Sequence, residues 1–211
     1  ASRRAHLNKA ATRGSDKHKP FEELIPLERG KLLKQSLGDV GVCAEILAYY
    51  AEHAEKFLAP EKLATERGDA VVESSPIGVL FGVEPWNFPY YQLVRFAAPN
   101  LMAGNVVMVK HASIVPQCAL AFEKLFADAG APAGAYTNLF ISKDQVAKVI
   151  DDQPIRAVAV TGSGGAGALR PFGPAVDAGA DAALAASVCH FGQLRISEVK
   201  DALRSSNHQV R

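Results

Sequence analysis

Residues 76–83 read Pro76-Ile77-Gly78-Val79-Leu80-Phe81-Gly82-Val83, and residues 105–109 read Asn105-Val106-Val107-Met108-Val109. Both are short, almost continuously apolar runs bounded by Gly, Pro or Asn, the pattern of strands covered on both faces. Between them, Tyr90 to Met102 carries apolar residues at helical spacing. The alternation continues: Val115 to Ala129 reads as a helix containing Leu120, Phe122, Leu125 and Phe126, and Tyr136 to Ile141 as a strand. Lys143 to Ile150 is again helical and Ile155 to Val160 is strand-like. Such alternation predicts βαβ units, hence an α/β fold with a mostly parallel, Rossmann-like sheet, covering helices and right-handed crossovers. In such sheets ligands bind beyond the carboxyl ends of strands, which directs attention to the loops after Val83, Val109 and Val160.

Upstream, Leu33, Leu37, Val40, Ala44, Leu47, Ala51, Ala54 and Leu58 recur at alternating spacings of four and three. That predicts one long helix from Lys31 to Leu58, which Pro60 stops. Ile46, Tyr50 and Phe57 widen its stripe beyond a coiled-coil seam, so the helix lies on a larger body. Gly38 and Gly41 each cost it about 1 kcal/mol relative to Ala, so packing must hold it. Ala70-Val71-Val72 reads as extended. The first 20 residues set Arg3, Arg4, Lys9, Arg13, Lys17 and Lys19 against Asp16 alone. Without interleaved aromatics for base stacking, this predicts a solvated, partly helical segment rather than a nucleic-acid arm. Downstream, 14 of the 23 residues from Gly164 to Ala186 are Gly or Ala, and no period survives. Residues 164–211 therefore read as an atypical, poorly ordered tail.

Apolar residues make up 48% of the 211 and charged residues 21%, enough for a sizeable core. Lys plus Arg number 23 against 22 Asp plus Glu, which gives no general pull toward nucleic acid or membrane. No stretch stays apolar for about 18 residues, and the start has no secretory h-region. Three cysteines are no disulfide framework and fit a reducing, cytoplasmic setting. The six histidines show no metal-ligand spacing with them, so no metal site is expected.

The loop Gly82-Val83-Glu84-Pro85-Trp86-Asn87-Phe88-Pro89 sets an aromatic and an amide between two prolines at a strand end. Asn87 there either caps the following helix or, rigidly held, donates to a developing oxyanion. Pro85-Trp86-Asn87-Phe88-Pro89 after an apolar strand resembles the aldehyde dehydrogenase superfamily. The resemblance extends through Ala98-Pro99-Asn100-Leu101-Met102-Ala103-Gly104-Asn105 and the strand ending at Lys110. It continues in Ala129-Gly130-Ala131-Pro132-Ala133-Gly134 with Asn138, and in Val160-Thr161-Gly162-Ser163. Glu28-Arg29-Gly30-Lys31 resembles a variant of the family's Glu-x-Gly-Lys step. The resemblance runs from about residue 20 to 163. Lys110-His111-Ala112 and Pro116-Gln117-Cys118-Ala119 are most similar to succinate-semialdehyde dehydrogenase-like members.

The resemblance implies a truncated aldehyde dehydrogenase-like fold with residues 1–163 as a partial NAD(P)-binding domain. It implies NAD(P)-dependent oxidation of an aldehyde, succinate semialdehyde first, to a carboxylate. Asn87 is then the oxyanion donor, and Val83, Pro85, Trp86, Lys110, Ser113, Gly162 and Ser163 bind the cofactor. Lys110 would set its ammonium against a ribose hydroxyl or phosphate, although a lone lysine at a strand end also snorkels by default. Ser113 stands where the family often has a glutamate for the adenine ribose. A serine does not repel a 2′-phosphate, so NADP is expected to bind as well as NAD. Gly162 and Ser163 would lie at a helix start under the pyrophosphate.

The family's general base lies in Glu-Leu-Gly-Gly and its nucleophile in Asn-x-Gly-Gln-x-Cys, and neither occurs here. The nearest run, His190-Phe191-Gly192-Gln193-Leu194-Arg195, has Arg for the cysteine. Cys43 and Cys118 read as packing residues, and the Cys189-His190 pair as chance. The chain is thus expected to be catalytically incomplete, with the tail after Ser163 unrelated and read in a shifted frame. The alternatives are a non-catalytic dinucleotide-binding remnant and an interaction fragment that pairs with intact subunits or forms a homo-oligomer.

Overall fold

The computed structural model describes residues 2–16, 18–66, 68–161 and 195–206. Three helices come first: α1 (Ser2–Asp16), α2 (His18–Arg29) and α3 (Leu33–Phe57). A small antiparallel pair follows, β1 (Glu61–Leu63) with β2 (Ala70–Val72). Next come β3 (Val79–Glu84), α4 (Pro89–Ala103), β4 (Val106–His111) and α5 (Pro116–Asp128). The run closes with β5 (Tyr136–Asn138), α6 (Lys143–Ile150), β6 (Ile155–Val160) and, in the tail, α7 (Ile196–Ser205). Two compact units divide the chain at residues 159 and 160.

The main sheet has the order β5-β4-β3-β6, and its β3–β4 and β4–β5 pairings are parallel, as the alternation of runs predicted. Val107 and Val109 are fully buried among side chains of α4 and α5, including Leu93, Val94, Phe122 and Phe126. Phe122, Phe126 and Tyr136 form a three-ring cluster with centroids 5.3 Å apart for each pair. Offset and edge contacts of this kind add to area burial. β5 stops at Asn138 rather than Ile141. The Leu139 amide still donates to the Val109 carbonyl (2.7 Å), but β4 ends at His111 and Phe140 is 62% exposed.

α3 matches its expected span, and its stripe is buried as expected from Val40 to Ala54 but not at the N-terminal end. Ser36, Val40, Cys43, Ala44, Leu47, Ala51 and Ala54 face inward, whereas Leu33, Leu37 and Phe57 are exposed. Gly38 and Gly41 look into open space, so neither is required for close packing. The basic first segment is a correction. α1 is helical throughout its span and buries Leu7, Ala10 and Ala11 in the core, keeping only its outer face, with Arg4 and Lys9, in solvent. Apart from Leu7, its inner face is made of small residues, which give little hydropathy signal but permit close helix contact. A Cβ on Gly14 would lie 3.8 Å from that of Ala44. α2 was not legible as a helix. It carries Pro26 and ends at Gly30, whose positive φ of 71° suits glycine.

In the tail, α7 opens with the Arg195 amide donating to Glu198 Oε2 (2.6 Å). Among the described residues no helix is long and apolar enough to cross a membrane.

Candidate functional site

The chain steps outward from β3 to β4 and β5, and β6 then takes the place on the other side of β3. A crevice beyond the carboxyl ends of the strands is expected where the order reverses, next to β3. Register places Val83 directly opposite Lys110 and Glu84 opposite His111 at that end. Because side chains alternate, Lys110 lies on the face opposite Val107 and Val109, away from α4 and α5.

Lys110 is buried, and its Nζ donates to the His111 carbonyl at 3.1 Å. Burial, helped by the like charge of Lys143, pushes its pKa below the usual lysine value. An ammonium has three donors, so this site has capacity for an anionic or hydroxylic acceptor. Ser113 is exposed in the turn between β4 and α5, a turn closed by the Val115 amide donating to the Ala112 carbonyl (3.1 Å).

In the loop after β3, Pro85 is buried, Asn87 half-buried and Trp86 39% exposed. The N-cap of α4 is Phe88, and no side chain caps it. Of the two local readings of Asn87, helix capping is therefore removed. Its Oδ1 is buried without a hydrogen-bond partner, an acceptor that a bound group or ordered water would satisfy. Gly162 and Ser163 lie outside the described residues, as do Cys189 and His190.

Several residues to which sequence reasoning gave no role in the site meet at this end. His111 Nδ1 lies 3.2 Å from the Glu84 carbonyl, and its Nε2 is buried without a partner. Burial lowers the His111 pKa, against the opposing carbonyls of Glu84 and Pro89 and the charge of Glu28. Both amide atoms of Asn138 are buried without hydrogen bonds. The available signal was polar residues ending otherwise apolar strands.

The Glu28–Lys31 segment reaches the same region. Glu28 accepts hydrogen bonds from the amides of Gln117 (2.6 Å) and Cys118 (2.9 Å) in the first turn of α5. The Arg29 guanidinium stands 4.1 Å from the centroid of the Trp86 ring, and its Nε donates to the Asn87 carbonyl (3.3 Å). Lys31 pairs with Asp39 and lies 4.0 Å over the Phe88 ring.

Cys43 and Cys118 are free and buried. Burial raises the pKa of both, that of Cys118 to about 12, so neither is a thiolate near neutrality. No cluster of three or more His, Cys, Asp or Glu able to hold a metal occurs among the described residues.

Comparison with known proteins agrees with the motifs. The chain is 48% identical over 166 residues to a succinate-semialdehyde dehydrogenase [NADP(+)] of Deinococcus radiodurans, covering 79% of this chain and 35% of that protein. It is 43% identical over 168 residues to a probable succinate-semialdehyde dehydrogenase [NADP(+)] of Synechocystis sp., covering 80% and 37%. Among solved structures, succinic semialdehyde dehydrogenase from Streptococcus pyogenes in complex with NADP+ superposes with a TM-score of 0.74 at 45% identity, covering 76% of this chain and 35% of that one. The chain thus spans about a third of the length of these relatives. Residues 1–169 match the aldehyde dehydrogenase family, so the family region begins at residue 1 rather than near residue 20 and takes in α1. By that match, with the sheet order and the Pro85–Pro89 loop, the chain belongs to the aldehyde dehydrogenase family.

Proposed function

We propose that this chain forms the coenzyme cradle of an NADP-dependent succinate-semialdehyde dehydrogenase, and that its 211 residues alone bind the coenzyme without completing aldehyde oxidation. The observation that carries this is the meeting of Val83, a buried Lys110 ammonium and the Pro85–Asn87 loop at one end of the β3–β4 pair. The unpartnered Asn87 amide oxygen and the spare donors of Lys110 fit a polar dinucleotide better than a closed apolar core.

Bound NADP would supply the hydride acceptor for aldehyde oxidation. The chain's own residues bind and orient. Lys110 donates to a ribose hydroxyl or phosphate, and uncharged Ser113 admits the 2′-phosphate. Val83 and Pro85 line the nicotinamide end beside the Trp86 indole, and the Asn87 amide donates to the substrate oxyanion. Gly162 and Ser163, which the resemblance assigns to the pyrophosphate, lie outside the described residues. Residues 1–163 act as the partial NAD(P)-binding domain; the family match continues to residue 169, so an unrelated tail cannot begin at Gly164. Neither Glu-Leu-Gly-Gly nor Asn-x-Gly-Gln-x-Cys occurs within these 211 residues, and Cys43 and Cys118 are buried thiols, so what these residues supply is coenzyme binding rather than the nucleophile or the base.

Trp86 is the only tryptophan, so its fluorescence reports on this loop. Titration with NADP is expected to give saturable quenching, with no NADPH formed when succinate semialdehyde is added. Absence of quenching at millimolar NADP refutes the cradle, and NADPH formation refutes the incompleteness. Ser113→Glu is expected to weaken NADP about tenfold while sparing NAD, because it sets a carboxylate against the 2′-phosphate.

A further inference from the structure

Two prolines fix the ends of the Trp86–Phe88 loop, but its middle lacks a side-chain cap and presents two half-exposed rings to solvent. What steadies it comes from the junction of α2 and α3. We propose that Arg29 is a positioning residue that fixes the plane of the Trp86 indole and the main chain of Asn87, and so presets the loop for coenzyme and carbonyl. The coenzyme's place in this loop rests on the function proposed above, whereas the clasp itself does not.

The geometry gives Arg29 two simultaneous holds on adjacent residues. Its guanidinium faces the indole at 4.1 Å while its Nε–H reaches the Asn87 carbonyl at 3.3 Å. A planar, forked cation can stack and donate at once, which an ammonium on a flexible stem cannot do in the same way. The Asn87 carbonyl belongs to the peptide leading into Phe88, so holding it limits rotation of the backbone that carries the Asn87 amide.

The clasp is anchored on both sides. Glu28, one residue earlier, ties α2 to the first-turn amides of α5. Gly30 turns the chain with φ 71°, and Lys31, one residue later, lies over Phe88 and is held by Asp39 of α3. Two cations thus grip two neighbouring rings, each contact worth a few-fold in equilibrium at a partly exposed site.

The test uses the whole chain with its single tryptophan. In the unsubstituted protein, NMR is expected to show the Arg29 side-chain protons shifted upfield by the indole ring current, with a cross-peak from Arg29 Hε to Trp86. Arg29→Met is expected to raise the acrylamide quenching constant of Trp86 about threefold and to weaken NADP half-saturation by a similar factor, with far-UV circular dichroism unchanged. Arg29→Lys restores a cation but not the Nε donor, so it is expected to fall between the two. An unchanged quenching constant in folded Arg29→Met overturns the proposal. If that variant does not fold, unshifted Arg29 protons in the parent chain overturn it equally. Shifted protons in a chain that ignores NADP would support the clasp and refute the coenzyme reading instead.

Discussion

Glu28→Ala tests how a residue from α2 stabilises a helix some 90 positions later, the separation of Glu28 from Gln117 and Cys118. α5 starts at Pro116, and its N-cap residue, Val115, has no polar side chain. The carboxylate of Glu28 therefore acts as the cap from a distance, with one oxygen on each of two successive amides. A lost N-cap costs about 1 kcal/mol, and hydrogen bonds to a charged acceptor contribute about 1.5–3 kcal/mol. The Gln117 amide is at the surface and the Cys118 amide is partly buried, so the two bonds together are worth about 2–3 kcal/mol. Glu28→Gln keeps one acceptor oxygen but loses the charge that complements the helix dipole, and should cost about 1 kcal/mol. For a chain of this size the larger loss lowers Tm by about 6 °C. Urea unfolding followed by circular dichroism measures both variants, with exposed Glu23→Ala as the neutral control. If Glu28→Ala lies within about 0.5 kcal/mol of the parent, remote capping does not stabilise α5 and the account is wrong.

Gly82→Ala places a Cβ 2.7 Å from a ring carbon of Phe96 on α4, so denaturant midpoints should fall by the equivalent of about 1–3 kcal/mol. Burial depresses the His111 pKa, so below about pH 6.5 the unfolded chain takes up a proton that the folded one refuses. Stability should decline as pH falls from 7 through that value, and His111→Gln should flatten this part of the melting profile. Cys43 and Cys118 should stay unmodified by a thiol reagent at pH 8 in the native chain and react on unfolding, as mass spectrometry of labelled peptides would show. Lys110→Met should weaken NADP about tenfold or more with little change in Tm, because it removes a charged donor whose one protein bond goes to a neighbouring carbonyl.

The strands and crossover helices were legible because their signal is local. Val106 to Val109 is an apolar run, and α6 begins and ends where its spacing says. The site was legible in part. Pro85 to Pro89 marks the loop, but nothing in one sequence shows that Asn87 leaves the helix uncapped, since capping depends on a backbone angle. Only the start of the α3 stripe was misread: Leu33 and Leu37 are exposed, and a hydropathy period cannot show where a helix's packing partners begin. The burial of α1 escaped notice because Ala and Gly pack by being small. The grip of Arg29 and Lys31 on two rings joins residues far apart in the chain, which only the fold reveals.

The buried face of α1 carries a cost during synthesis. It packs chiefly on α3 and also on α2, α4 and α5, the last of which begins at Pro116. At about 5–20 residues per second, a ribosome needs roughly 5–20 s to travel from the end of α1 to the start of α5. Until α4 and α5 follow, a cationic helix with a greasy underside has only α2 and α3 to dock on. A chaperone able to shelter it would raise the yield of folded chains, and slower translation would lower it.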